Sequence, residues 1–378
     1  VPPTTLILTQ AGDTHAYAAE IGLRQQGTQV LLWHTSDFPS RTTESVLFGA
    51  DGSERIWLNG VSEHDIAEKK ISSVWRRRPA YVLDQETLHP ADRVFSDWQC
   101  RLFRSSLFDV LEPGAFWVNS PEASLRASRK ILQHKLALKA GLSTPETLYS
   151  NDPRAIREFV RHHGGAAVYK TFRAITWQDA DTHWLPYTSL VSEQDLVADE
   201  LLRTTPGIFQ ALVPKAYELR VTFIGRRSFT AKILSQETIG GQLDWRKAYS
   251  ELKMEPYTLP SAVAERCWRL MEELGIVFGC FDLIVTPQGD YVFLEVNEMG
   301  QFLFVEHWTG MPLLDAFCTF LSSGHVDYAW NSRQVQVKYQ DIQQEVLALE
   351  QAYSAAHVVV PDAIVKEEEL SGEEDFSI

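Results

Sequence analysis

The chain has 378 residues, 44% of them apolar and 22% charged, and carries a formal net charge of −15. This is the composition of an ordinary soluble globular protein with room for two or three compact units. The acid excess argues against a nucleic-acid partner, which needs clustered basic charge, and no apolar run approaches the roughly 20 residues that span a bilayer.

From the N-terminus, Leu6-Ile7-Leu8 predicts a strand, His15 to Gln26 a helix stopped by Gly27, and Val30-Leu31-Leu32-Trp33 a second strand. This alternation predicts a parallel sheet covered by helices. It lacks Gly-x-Gly-x-x-Gly, and the whole chain lacks the Gly-Lys pair of a P-loop, so neither standard nucleotide motif is present. A strand at Phe116-Trp117-Val118 closes this domain, and Asn119-Ser120-Pro121 reads as a boundary. Leu125, Leu132 and Leu136 recur at helical spacing up to Gly141 and predict one helix with Lys130 on another face. A smaller α/β segment follows: a strand at Thr147-Leu148-Tyr149, a helix from Ala155 to His162 and a strand from Ala166 to Thr171. Gly164-Gly165 reads as a helix stop. His162-His163 read as surface residues, because no second ligand cluster lies nearby in sequence.

Thr205-Pro206-Gly207 reads as the next boundary, and a loop through Gly240-Gly241 leads to Asp244-Trp245-Arg246. Val263, Cys267, Leu270 and Leu274 predict a helix stopped by Gly275. Ile342, Val346, Leu349 and Tyr353 predict a last amphipathic helix, which either packs on its own domain or offers a dimer or peptide-docking surface. The last thirteen residues set Glu367, Glu368, Glu369, Glu373, Glu374 and Asp375 against Lys366 alone, a pattern expected to be solvated and disordered. Cys100, Cys267, Cys280 and Cys318 are far apart among apolar neighbours and read as reduced core residues. With no N-terminal signal pattern, the expected location is the cytoplasm. The first residue, Val, points to a trimmed chain.

Two hairpins carry the chemistry. Cys280 to Val285 and Tyr291 to Asn297 are apolar, β-branched and aromatic runs around a short loop containing Pro and Gly. Glu295 and Asn297 share one strand face, and a near-symmetric register sets Asp282 beside Glu295. Carboxylates converging from apolar strands are costly unless a cation neutralises them, and hard oxygen donors suit Mg²⁺ held against phosphates. In the second hairpin Glu218 to Ile224 alternates, Gly225-Arg226-Arg227 turns the chain, and Ser228 to Ile233 returns. Symmetric pairing puts Arg220 opposite Lys232, with Glu218, Arg220, Thr222, Thr230 and Lys232 on one face. Opposed like charges call for an anion between them, such as a triphosphate.

The chain here resembles the ATP-grasp ligases, and within them the branch that matures ribosomally made peptides through side-chain ester or amide cross-links. The resemblance rests on Phe209 to Val221, on Asp244-Trp245-Arg246 and on Phe293 to Gln301. Arg129 to Gln133 and Val168-Tyr169-Lys170 resemble the family's two lysine sites, and Val74 to Pro79 its N-terminal Trp/Arg/Pro phrase. The resemblance runs from about residue 4 to about residue 325, and the order and spacing of the phrases make it specific. Glu298-Met299 stands where Pro-Asn is expected before Gly-Gln, and Arg129 where Asn is usual.

The resemblance implies an α/β protein with the ATP-grasp fold: a Rossmann-like pre-ATP-grasp domain (1–118), a central small α/β lobe (119–205), a C-terminal lobe with an antiparallel sheet and the metal site (206–330), and the final helix and acidic tail (331–378). It implies ATP and Mg²⁺ as cofactors, with Lys130 and Lys170 at the phosphates and adenine edge. Gln210, Ala211, Leu212 and Val213 would form the adenine hinge, Lys232 belongs with the ATP-binding residues, and Glu218 would bind the ribose. Asp282, Glu295 and Asn297 would hold the metal. Arg220 would stabilise the transferring phosphoryl group, and Arg246 the acceptor carboxylate or its acyl phosphate. The implied substrate is a precursor peptide with a leader segment. A related ligase that adds a free amino acid to a carboxylate is the alternative.

Overall fold

The computed structural model describes residues 3–58, 70–84, 86–173, 177–179, 182–184, 187–238 and 240–360, so the acidic run over residues 366–378 lies outside the described residues. The N-terminal domain begins as its alternation predicts, with β1 (Thr4–Thr9), α1 (Thr14–Gln25) and β2 (Gln29–His34). An antiparallel pair, β3 (Glu44–Phe48) and β4 (Glu54–Leu58), precedes β5 (Ile71–Arg76), α2 (Arg93–Val110) and β6 (Phe116–Val118). The four main strands are parallel, in the order β2-β1-β5-β6. Every residue of β1 is buried because helices cover both faces. Ile7 packs with Ala16 and Tyr17 of α1, while Leu6 and Leu8 pack with Leu107 and Phe108 of α2.

Beyond β6 the single helix expected through Leu125, Leu132 and Leu136 is two: α3 (Pro121–Ala127) and α4 (Lys130–Lys139). Ser120 caps α3, and Arg129 is extended at φ −82° and ψ 95°, which breaks the helical path. Leu125 is therefore outside the stripe, 59% exposed, while Leu136 is buried. Lys130 becomes the first residue of α4. The central sheet comprises β7 (Thr147–Ser150), β8 (Ala166–Lys170), β11 (Ser189–Ser192) and β12 (Gly207–Gln210), in the antiparallel order β11-β8-β12-β7. Between them lie α5 (Pro153–His162), a separate ribbon of β9 (Trp177–Asp179) and β10 (Thr182–Trp184), and α6 (Asp199–Leu202). Because β12 pairs with β7 and β8, this sheet continues past the Thr205-Pro206-Gly207 boundary. Conversely, Ala123, Ala127, Leu136 and Ala137 of α3 and α4 share a core with Leu219 and Phe281 of the next sheet.

That sheet has the antiparallel order β15-β14-β13-β16-β17, built from β13 (Tyr217–Ile224), β14 (Arg227–Ile233), β15 (Met254–Tyr257), β16 (Phe278–Val285) and β17 (Tyr291–Asn297). α7 (Ser261–Leu274) covers one face with Val263, Cys267, Leu270 and Leu274, and Gly275 stops it in the left-handed conformation. α8 (Leu303–Thr309), α9 (Leu313–Ser323) and α10 (Tyr339–Ala356) complete the chain. Phe317 of α9 packs on Trp75 of β5, joining the C-terminal lobe to the N-terminal domain in one core. The stripe of α10 is used within the chain: Ile342 and Val346 are buried, and the Tyr353 ring packs tilted against Tyr17 of α1. Cys267, Cys280 and Cys318 are buried and Cys100 partly so, all as free thiols. Among the described residues, no helix is long and apolar enough to cross a membrane.

Candidate active site

The acidic hairpin has the expected register, with Asp282 paired to Glu295 and a bulge after Asp282. On its other side Asp282 faces Arg220 of β13. Arg220 Nη1 donates to both Asp282 oxygens at 2.9 and 3.1 Å, and Nη2 donates to the Gln301 carbonyl at 3.0 Å. Burial works against the Arg220 charge, but the facing carboxylate outweighs it and the guanidinium is held above its ordinary range. Burial pushes the Asp282 carboxyl up, and the nearby Glu295 charge adds to this against Arg220. Glu295 goes the other way: the Lys130 ammonium, in contact with its Oε2, holds it at about 2. Asn297 follows two residues later, exposed, its Oδ1 accepting the Met299 N–H at 3.0 Å. The set of two carboxylates and an amide oxygen on adjoining strands fits a hard divalent cation, whose charge would offset the repulsion between the acids.

The two lysines approach from different elements. Lys130 starts α4, which is stitched to β17 by Gln133: its Nε2 donates to the Val296 carbonyl at 2.8 Å and its Oε1 accepts the Val296 N–H at 3.1 Å. Lys170 ends β8 in the central lobe, where burial lowers its pKa while the Glu295 charge opposes the loss. Between them lies a small cleft of about 40 Å³, lined by Lys130, Lys170 and Glu295 and by Tyr149, Ile208, Gln210 and Phe293. Its lining mixes the apolar Ile208 and Phe293 with charged and amide groups. Gln210 donates to Thr147 Oγ1 at 3.1 Å, and the Ala211 N–H to the Glu146 carbonyl at 2.9 Å. Leu212 and Val213 continue the segment out of the sheet, Leu212 52% exposed.

Glu218 is buried near the start of β13 and pairs with Lys215 at 2.8 Å; burial raises its pKa and the Lys215 charge opposes that. Lys215 also donates to the Leu243 carbonyl at 3.0 Å, tying Glu218 to the loop that carries Arg246. Arg246 Nε donates to Asp244 Oδ1 at 2.8 Å and Nη2 to Oδ2 at 2.5 Å, and these bonds hold the guanidinium above its ordinary range. Asp244 further accepts the Thr188 N–H at 3.3 Å.

Lys232 departs from expectation. The hairpin closes at Ile224↔Arg227, a two-residue turn over Gly225 (φ +55°), so Arg220 pairs with Ala231 and Lys232 with Leu219. One residue of slip flips the return strand. Lys232 and Thr230 therefore leave the Glu218–Arg220–Thr222 face, and Lys232 pairs with Glu255 at 2.8 Å over the Tyr217 ring. Asp282 supplies the anion that Arg220 needs. His162 is exposed and His163 half-buried at the surface, where folding brings Glu146 to them, one ligand atom of each lying within 4.8 Å of the others.

Sequence reasoning also left several supports without a role. Asn119 is less a boundary than a staple: Nδ2 donates to the Phe278 and Glu298 carbonyls at 2.9 Å each, and Oδ1 accepts the Val277 N–H at 2.7 Å. His15 Nε2 accepts the Phe302 and Leu303 N–H groups at 3.0 and 3.2 Å, which requires the neutral ring that burial enforces. A Cβ on Gly300 would lie 2.5 Å from Cys280 Cβ and 3.1 Å from Arg220 Nη2, so glycine is required there. Only the Gly-Gln pair signalled this loop in the sequence.

A parallel N-terminal sheet, a small antiparallel lobe and a larger antiparallel sheet around a lysine-lined cleft beside paired acids make up the ATP-grasp fold. No protein-family profile and no curated protein matches the chain. Solved structures do. The macrocyclase MdnC from Microcystis aeruginosa MRC, bound with precursor peptide MdnA, is 28% identical at a TM-score of 0.73, over 85% of this chain and 99% of that one. A RiPP-associated ATP-grasp ligase from Chryseobacterium gregarium, in complex with ADP and a leader and core peptide, is 24% identical at 0.74, over 85% and 97%. The ATP-grasp ligase PsnB, complexed with a phosphomimetic variant of minimal precursor, Mg and ADP, is 24% identical at 0.67, over 86% and 99%. The chain thus shares the fold of these ATP-grasp ligases and macrocyclases.

Proposed function

We propose that this chain is an ADP-forming, Mg²⁺- and ATP-dependent ligase that joins side-chain carboxylates of a leader-bearing precursor peptide to Ser or Thr hydroxyls or Lys amines, closing macrocyclic esters or amides. The observation that carries it is the Asp282–Glu295 pair flanked by Arg220 and Lys130 at the mouth of the cleft. A carboxylate is inert towards alcohols and amines at neutral pH because oxide would have to leave. Transfer of the γ-phosphoryl group to a carboxylate oxygen yields an acyl phosphate and ADP; attack on its carbonyl then expels phosphate, and the nucleophile loses its proton. The net change in the peptide is loss of one water per bond.

In this scheme Lys130 and Lys170 hold phosphate oxygens, Gln210 to Val213 read the adenine edge, and Glu218 binds the ribose hydroxyls. Asp282, Glu295 and Asn297 would hold Mg²⁺, which neutralises charge on the phosphates when bound. Arg220, already fixed by Asp282, stabilises charge on the transferring group without reorganising. Arg246 orients the acceptor carboxylate. The reading carries a cytoplasmic location with it, where ATP and reduced thiols coexist.

Mass spectrometry of the cognate peptide after incubation with ATP and Mg²⁺ tests the proposal. Expected are water losses matched to ADP released, and their disappearance in Glu295→Gln with the fold retained. A mass gain equal to an amino acid would favour the alternative ligase, and AMP with pyrophosphate would exclude the acyl phosphate.

A further inference from the structure

β5 runs out into Arg76, Arg77 and Arg78 at its carboxyl end, where open α/β sheets take their ligands. The scheme above uses none of the three. Arg77 is accounted for: fully buried, it lies 3.4 Å from Asp13 and donates to the Met299 carbonyl. Arg76 and Arg78 are not. Among the described residues Arg76 Nη1 reaches the Met299 Sδ at 3.7 Å, and its buried Nε has no partner. Among the described residues neither Arg76 nor Arg78 has an ion pair. The Glu298 charge acts on Arg76 from beyond contact, and burial still pushes that guanidinium down. Arg78 stands near enough for its charge to bear on His15 and Arg77.

A desolvated guanidinium without an anion is unfavourable, and its planar fork matches a carboxylate. Arg76 also lies beside the reacting centre. Arg76 and Arg77 grip Met299, and the next residue, Gly300, packs against Arg220. A peptide whose carboxylates are the reactants brings further acids past this edge whenever one of them sits beside Arg220. We propose that Arg76 and Arg78 form a carboxylate subsite that holds an acidic side chain of the peptide neighbouring the one being activated. The proposal rests on the peptide-ligase reading and adds a specificity element from the N-terminal domain.

The test is fluorescence anisotropy with labelled hexaglutamate, and hexaglutamine as the uncharged control, in the presence of Mg²⁺ and ADP. Wild type should prefer hexaglutamate, and Arg76→Gln and Arg78→Gln should each weaken it by about tenfold, the loss of one charge-assisted contact. ADP affinity should stay within about twofold of wild type. Unchanged hexaglutamate binding in both variants overturns the subsite, as does a parallel loss of ADP, which would assign the arginines to the nucleotide. A fall in melting temperature alone would mean that they only offset Glu298, and also overturns it. If Arg76→Gln does not fold, Arg78→Gln decides. Failure of the wild type to bind ADP with Mg²⁺ at all would strike the ligase reading itself, and the subsite with it.

Discussion

Two arginine–carboxylate forks stand at the cleft, and they are built differently. Arg220 meets Asp282 across adjacent strands, with side chains 8% and 21% exposed, so the sheet ladder fixes both partners. Arg246 meets Asp244 within a single turn, with a guanidinium 49% exposed over a carboxylate 4% exposed. The first pair cannot separate without leaving a buried charge. The second can release its half-exposed guanidinium to solvent or to an incoming carboxylate, because the buried Asp244 keeps the Thr188 and Arg246 backbone N–H groups. A preorganised charge belongs where phosphoryl transfer occurs, and an adjustable one where substrates change.

That contrast predicts separable phenotypes. Arg220→Met should do most damage, costing about 3–5 kcal/mol in urea unfolding because Asp282 is left buried and unpaired, and abolishing ATP turnover. Arg246→Ala should leave unfolding and ADP binding close to wild type while cross-linking falls by about 10²–10³-fold. Equal stability losses in the two variants would erase the distinction. An effect confined to acid pH belongs to burial without catalysis, at the seat of α10. There His34 stacks on His357, and burial, with the His357 charge adding to it, lowers His34 to about 3. The unfolded imidazole binds a proton below its ordinary 6.5 while the folded one refuses it, so stability is full above 6.5 and is lost progressively as pH falls towards 3. His34→Gln should flatten melting temperature against pH in that window. An unaltered slope would place the acid sensitivity elsewhere.

How much of this was legible depended on what set each register. In the acidic hairpin the polar residues Asp282, Glu295 and Asn297 punctuate apolar runs, and face alternation alone brings the two acids together despite the bulge. In the basic hairpin both strands carry cations, so nothing in the pattern distinguished a two-residue from a three-residue turn, and Lys232 was read on the wrong face. The break at Ser128-Arg129 left no Gly or Pro to mark it, and three leucines imitated one stripe. Lys215, Asn119 and His15 take their roles from contacts with distant segments, which local periodicity does not encode. The order of the site phrases was visible in the chain because each sits on its own strand or helix start.

The central claim is that a peptide carboxylate passes through an acyl phosphate in this cleft, and oxygen transfer tests it most directly. Peptide carrying ¹⁸O in its side-chain carboxylates should hand one ¹⁸O to inorganic phosphate for each bond formed, with ADP released in equal amount. Cross-linked peptide accompanied by unlabelled phosphate, or by AMP, would contradict the account.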